Sequence, residues 1–196
     1  MNPWDERFSR PGYAYGTEPN AFLASVAHRI PPGRVLSLGD GEGRNGVYLA
    51  TRGFEVVAVD ASTVGLAKAR QLAADRGVTL RTVHADLADF DLGAVCWSGI
   101  VSIFCHLPPD LRERVHRQVV AGLAPGGVLV LEAYTPRQLE YRTGGPPVLE
   151  LLMTLDALRA ELAGLELLTG QEVEREVVEG SLHTGLAHVV QVVARR

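Results

Sequence analysis

The sequence predicts an α/β fold: a doubly wound, mainly parallel sheet of seven strands that ends in a C-terminal antiparallel hairpin. Three observations carry this expectation. Short apolar runs alternate along the chain with segments whose apolar residues recur at helical spacing. The first such run leads straight into a glycine cluster, LGDGEGRNG at residues 38–46, which opens a helix. The tail carries two strand-like stretches joined by the short segment GSLHTG, a connection that suits an antiparallel pair.

Taken in order, Phe22, Leu23, Val26, Ala27 and Ile30 recur on one helical face, and Pro31-Pro32-Gly33 stops that helix. Arg34 to Leu38 reads as a buried strand, followed by a helix from about Arg44 to Arg52 that ends at Gly53. EVVAVD, residues 55–60, is a second strand, apolar enough to be covered on both faces. Ser62 caps a helix carrying Leu66, Ala69 and Leu72, with Gly77 as its exit. Leu80 to His84 and residues 97–104 are the third and fourth strands. Pro109 and Asp110 start a helix with Leu111, Val115, Val119 and Leu123 on one face, closed by Pro125-Gly126-Gly127. Residues 128–134 form the fifth strand, and Thr154 caps a helix through Leu155, Leu158 and Leu162. The closing strands run from about Gln171 to Glu179 and from Ala187 to Ala194. Residues 135–153 break this rhythm and read as a lid insertion. The expected organisation is one domain over 1–196, with 1–33 as an N-terminal cap and helix.

Composition narrows the function. A chain of 196 residues, 46% hydrophobic and 21% charged, can bury a core of its own. A formal charge of −4 offers no basic field for nucleic acid or anionic lipid, so neither is expected as a partner. Two cysteines, Cys96 and Cys105, make no disulfide framework and lack metal-ligand spacing, so no metal is expected. The polar, aromatic start MNPWDERFSRPGYAYG has no signal-peptide core, and no apolar run approaches a membrane span. These features point to the cytoplasm; nothing in them specifies an oligomeric state.

The glycine cluster reads in two ways. Gly41, Gly43 and Gly46 spell G-x-G-x-x-G, the dinucleotide fingerprint, whereas Gly39, Gly41 and Gly43 spell G-x-G-x-G, a nucleoside loop. In both, glycines let a ligand approach the backbone, and an acid ending the second strand, here Asp60, binds ribose hydroxyls. Two features separate the readings. Asp40 inside the loop would repel a pyrophosphate. HADLADFD, residues 84–91, offers Asp86 to accept from an adenine amine and Leu87 to pack on its ring.

On these residues the chain resembles the class I S-adenosyl-L-methionine (SAM) methyltransferases, whose fold is Rossmann-like. LGDGEGRNGVYLATRGFEVVAVD is most similar to the tellurite-resistance branch and its small relatives, and LAPGGVLVLEAY and LHTGLAHVVQVVARR look like that branch's fifth and closing strands. Asp40 departs from that branch, which usually has Cys there. The resemblance implies SAM as cofactor and S-adenosyl-L-homocysteine as product. It implies a cofactor site built from Gly39, Asp40, Gly41, Gly43, Arg44, Asp60, Ala61, Asp86, Leu87 and Phe104, with Trp4, Phe8 and Tyr15 folding over its mouth. The acceptor is expected to be a small molecule, such as a metalloid oxyanion, a thiol or another soft nucleophile. Alternative readings are an NAD-dependent oxidoreductase and a SAM-binding protein without turnover.

Three residues stand out for the chemistry. His106, after the fourth strand, is a candidate to act as general base or to orient an acceptor. His183 in the hairpin turn, with Arg175 near it on the adjoining strand, is a candidate because it is similar to a histidine in a Leu-His context of the tellurite-resistance branch. Tyr141, with Tyr134 and Arg137, is a candidate to enclose the acceptor from the lid. Cys105 reads as a small packed residue.

Overall fold

The structure, a computed structural model, describes residues 2–180 and 183–196. Ser181 and Leu182 of the GSLHTG segment lie outside the described residues. Seven strands form one sheet: β1 (Arg34–Leu38), β2 (Glu55–Asp60), β3 (Arg81–His84), β4 (Trp97–Ile103), β5 (Leu123–Tyr134), β6 (Glu166–Glu179) and β7 (His183–Arg195). Their order is β3-β2-β1-β4-β5-β7-β6; the first five are parallel, and β7 runs antiparallel to both β5 and β6. The doubly wound sheet with a closing hairpin is therefore as the sequence predicts.

Alternate residues of the strands feed two apolar layers, as a sheet covered on both faces requires. Leu36, Val57, Ile100 and Leu129 face α5 (Pro109–Gly122) and α7 (Leu155–Glu161), meeting Val115, Val119 and Leu158. Val35, Val56, Val101 and Val130 face the other way, against Phe22 and Leu23 of α2 (Ala21–Val26) and Leu49 of α3 (Arg44–Thr51). The remaining helices are α1 (Pro3–Phe8), α4 (Thr63–Asp75) and the single turn α6 (Gln138–Tyr141). Among the described residues, no helix is long and apolar enough to cross a membrane.

Several boundaries differ from expectation for identifiable reasons. The α5 helix stops at Gly122, because Leu123 already pairs with Trp97 ahead of the register shift in β4. Both hairpin strands are longer than their alternation suggests: Glu166 pairs with Arg195 and Glu179 with His183. Helix α1 has too few residues for a periodic signal. It forms because Asn2 accepts the Trp4 N–H, Pro3 occupies the first turn, and Asp5 in turn caps α4 through Ser62 Oγ (2.6 Å) and the Val64 N–H (3.3 Å).

A buried charge network binds the hairpin to the sheet. Glu132 on β5 is fully buried and accepts from Arg175 Nε (2.6 Å), Arg175 Nη2 (3.1 Å), Asn20 Nδ2 (2.7 Å) and Gln191 Nε2 (3.2 Å). Glu179 accepts from Arg44 Nη2 (2.5 Å), Arg175 Nη2 (2.9 Å) and Asn20 Nδ2 (2.9 Å). Asn20 Oδ1 takes the Leu23 N–H at the start of α2. Two guanidinium groups thus balance two carboxylates, and each buried charge has a partner, as burial demands.

The glycine loop is shaped by a second buried carboxyl. Asp40 Oδ1 accepts from Ser37 Oγ (2.6 Å) and from the Gly46 N–H (3.0 Å), so its side chain turns back under the first turn of α3. A Cβ on Gly46 would stand 2.5 Å from Asp40 Oδ2, so glycine is needed there to seat the acid. Gly43, at φ +92°, lies against α4, where a Cβ would meet Ala69 Cβ at 2.6 Å.

Replacing Glu132 with Ala leaves Arg175 Nε and Gln191 Nε2 without their partner and sets two guanidinium groups against the single carboxylate of Glu179. The expected cost is about 3–5 kcal/mol, read as a lower urea midpoint with an unchanged denaturant slope. A second expectation concerns pH. Burial holds the Asp40 carboxyl up at about 6, from 3.8. Between those values the folded chain binds more protons than the unfolded one, so stability falls as pH rises from about 4 to 6. Asp40→Asn removes that slope and gains on the order of 3 kcal/mol at pH 8, by roughly 1.4 kcal/mol per unit. Urea titrations of both proteins at pH 4.5 and 8 measure it.

Candidate functional site

In a parallel sheet the crevice forms at the carboxyl ends of the strands, where the order reverses around the first strand. Here β1 lies between β2 and β4, and a cavity of about 1070 Å³ spans that edge. Sheet order dictates the order of its walls. Asp86 and Leu87 follow β3, Asp60 and Ala61 end β2, and Gly39 and Gly41 follow β1. Phe104, Cys105 and His106 follow β4, and Tyr134 ends β5. His183 begins β7, which runs antiparallel and so starts on this same edge.

On the β2–β3 side the walls are polar. Asp60 accepts the Gly41 N–H on Oδ2 (2.8 Å) and the Ser62 N–H on Oδ1 (2.7 Å), which leaves each oxygen a further lone pair. Burial raises its carboxyl above the usual range, against those two N–H groups. Asp86 is exposed, with Oδ1 on the Ala88 N–H (2.8 Å), and Leu87 beside it is buried. Helix α1 roofs this end: Asn2 Nδ2 donates to the Ala61 carbonyl (2.8 Å), Trp4 stacks on Phe8, and the Phe8 ring meets the position of a Gly41 Cβ at 3.1 Å. Glu42 fastens the following segment by accepting from the Ala14 N–H (2.7 Å) and Lys68 Nζ (2.9 Å).

Toward β4, β5 and β7 the walls become aromatic. Phe104, held at φ +52°, stacks on Tyr134 with centroids 4.5 Å apart and planes 22° apart. His183 lies 4.5 Å from the Tyr15 ring. Tyr15 Oη accepts from Arg7 Nη1 (2.8 Å). The chain from Gly144 to Pro147 forms the outer wall, so the 135–153 insertion does border the cavity. Arg44 reaches the cavity with Nη2 committed to Glu179 and Nη1 buried without a partner among the described residues.

Four expectations need correction. His106 is not free to act as a base: it is hydrogen-bonded through Nδ1 to the Leu151 carbonyl (2.8 Å), and Nε2 receives the Tyr134 N–H (3.3 Å). Burial pushes its pKa down to about 4, so it serves as a neutral tie between the insertion and β5. Tyr141 is half-buried on α6 away from the cavity walls, and its hydroxyl donates to Glu174 on β6. Arg175 is consumed by Glu132 and Glu179 and makes no bond to His183 among the described residues. Gly43 packs between helices instead of lining the cavity, and Asp40 borders it while its carboxyl points under α3. The other expected residues, Trp4, Phe8, Tyr15, Gly39, Gly41, Arg44, Asp60, Ala61, Asp86, Leu87, Phe104 and His183, all border the cavity. Sequence reasoning missed Asn2 and Glu42; only the Asn-Pro start of α1, a capping pair, signals either of them. Among the described residues no cluster of His, Cys, Asp or Glu could hold a metal.

Residues 35–127 match the family model described as a methyltransferase domain. The chain is 30% identical over 149 residues to a 2-heptyl-1-hydroxyquinolin-4(1H)-one methyltransferase of Mycobacteroides abscessus. That match takes in 72% of this chain and spans 64% of the length of that relative. Two solved structures share the fold. One, from work on the conversion of a disulfide bond into a thioacetal group during echinomycin biosynthesis, superposes with a TM-score of 0.76 at 23% identity, over 97% of this chain and 86% of that one. The other, TehB from Haemophilus influenzae, gives 0.74 at 19% identity, over 90% and 62%. Sheet order and the family match agree: residues 35–127 belong to a methyltransferase domain, carried on a Rossmann-like sheet.

Proposed function

We propose that the protein transfers the methyl group of SAM to a small-molecule acceptor in the cytoplasm, by in-line displacement that releases S-adenosyl-L-homocysteine. One observation carries this reading: a single cavity has a polar half with ribose- and adenine-binding groups and an aromatic half without them. A single ligand occupies roughly 300–1,000 Å³, so about 1070 Å³ accommodates a nucleoside and a second small molecule. SAM supplies an electrophilic methyl on a sulfonium; the chain's own groups bind, orient and exclude water. The open lone pairs of Asp60 suit two ribose hydroxyls, and Asp86 with Leu87 suits an amine and a ring. Helix α1 closes one side through Asn2 and Phe8, and the 144–147 wall closes the other.

The chemistry of the loop argues against a dinucleotide. Helix α3 already receives a side-chain carboxylate at its first turn, and Glu42 adds a second buried acid to the same loop. Both would oppose a pyrophosphate. The Mycobacteroides relative is named for a hydroxyquinolone acceptor, which supports a small ring compound over a macromolecule.

Asp60→Ala is expected to weaken SAM binding by about 1.5–3 kcal/mol, the scale of hydrogen bonds to a charged group. Titration calorimetry on the folded variant measures this directly. An unchanged affinity removes Asp60 from the ribose site. Production of S-adenosyl-L-homocysteine with an acceptor panel tests turnover, and a protein that binds SAM yet methylates nothing would be a sensor.

A further inference from the structure

The aromatic half of the cavity shapes what can lie beside the methyl donor. Its floor is the Phe104–Tyr134 stack, and His183 stands nearly perpendicular to both rings, at 76° and 5.0 Å from Phe104 and at 88° and 5.3 Å from Tyr134. Opposite, the backbone of Gly145 lies so close to the Tyr134 ring that a Cβ there would stand 2.7 Å from it. The result is a slot bounded by ring faces. Its wall from Phe104 to Leu111 and from Gly144 to Leu151 carries no Lys or Arg, and the nearby Arg44 has its Nη2 on Glu179. Oxyanions are ordinarily held by Arg, Lys or clustered N–H groups. Arg44 is such a group beside the slot: its Nη1 is buried without a partner among the described residues.

A second polar side chain faces the slot beside it. Nδ1 of His183 is buried without a hydrogen-bond partner among the described residues. The rings of Tyr15, Phe104 and Tyr134 stand 4.5, 5.0 and 5.3 Å from the imidazole, centroid to centroid, and an electron-rich face attracts an N–H but repels a lone pair. The proton is therefore assigned to Nδ1, which leaves the lone pair on Nε2, an atom with no bond among the described residues in a side chain that borders the cavity.

We propose that the slot takes a planar aromatic acceptor bearing a hydroxyl, and that Nε2 of His183 accepts the hydroxyl proton. This rests on the methyltransferase reading and names its acceptor class. In the step, an oxygen lone pair forms the new O–C bond as the S–C bond breaks, and that electron pair stays on sulfur as the thioether. The hydroxyl proton passes to Nε2 and then to solvent. The products are an aryl methyl ether, S-adenosyl-L-homocysteine and one proton, so charge balances. Burial, then Arg44, push His183 down to about 3, with His106 and Arg7 adding to that and Glu179 opposing it. The imidazole is thus neutral across the physiological range. It takes up a proton because the hydroxyl becomes strongly acidic as its oxygen gains the methyl.

The test uses the full chain with SAM and four probes: 2-naphthol, 4-hydroxyquinoline, sodium tellurite and 2-mercaptoethanol. Methyl ethers are expected from the first two, and no methylated tellurium or thioether from the others. His183→Ala and His183→Asn are expected to lower kcat/KM on 2-naphthol about 100-fold, with SAM affinity changed less than twofold. His183→Gln sets a carbonyl oxygen near the Nε2 position that accepts a hydrogen bond but takes up no proton, and is expected to remain about as slow as the Ala variant. Wild-type activity is expected to show no inflection near pH 6.5. Should the Ala variant fail to fold, the Asn and Gln variants decide the point. Methylation of tellurite or the thiol but of neither hydroxyarene overturns the acceptor class and leaves the methyltransferase reading intact. Equal rates for all three variants and wild type overturn the role of His183. A chain that binds no SAM refutes the underlying reading instead.

Discussion

The position of β1 between β2 and β4 is the constraint on which the rest of the molecule depends. From β1 the chain winds outward twice, first through β2 and β3 and then through β4 and β5, with helices crossing on opposite faces. Connections that leave β1 in opposite directions cannot fill the space above its carboxyl end, and a crevice stays open there. Every residue that borders the cavity follows from this arrangement. The groups suited to a nucleoside come from the first winding, and the aromatic groups come from the second and from the hairpin. The division of labour inside the cavity is therefore a property of topology before it is one of side chains.

The hairpin completes the second half: buried apolar residues of β7 anchor it in the core, and charge ties down β6 outside it. Strand β6 is an edge strand with largely exposed or half-buried residues, so its apolar burial alone would secure it weakly. Glu132, Arg175, Glu179, Arg44 and Asn20 supply the connection instead, reaching from α2 and α3 across β5 to β6. Such a network adds little net stability over a well-packed apolar one, but it fixes register, because each member is costly to leave unpaired. Register matters here: β7 must begin with His183 above the Phe104–Tyr134 stack. The same network reaches Arg44 at the cavity, so the element that shapes the acceptor half is tied to the helix that carries the glycine loop.

How much of this was legible in the sequence follows from which interactions are local. The strands of the parallel half read clearly because their apolar runs are buried on both faces, as in EVVAVD and Val35–Leu38. Ser62, Asn20 and Thr154 cap helices through bonds to residues three positions on, of which Ser62 and Thr154 are visible as motifs. Asp60, Asp86 and Phe104 were legible because each ends a strand or follows one. By contrast, His106 looked like a base, since its bonds run to Leu151 and Tyr134, which are distant in sequence. Tyr141 and Arg175 failed for the same reason, as their partners Glu174 and Glu132 are supplied by folding. The roof formed by α1 was half seen: aromatic residues advertised contact, but the six-residue helix that aims them leaves no periodic trace.

The most direct test of a cavity divided by sheet order is a crystal structure of the protein with S-adenosyl-L-homocysteine bound. The adenine is expected against Leu87 with its amine toward Asp86, the ribose hydroxyls on the Asp60 carboxylate, and the sulfur directed toward Phe104. The aromatic slot beyond it should remain unfilled. Density for the nucleoside between Tyr134 and His183, or at a site away from this edge of the sheet, would contradict the account.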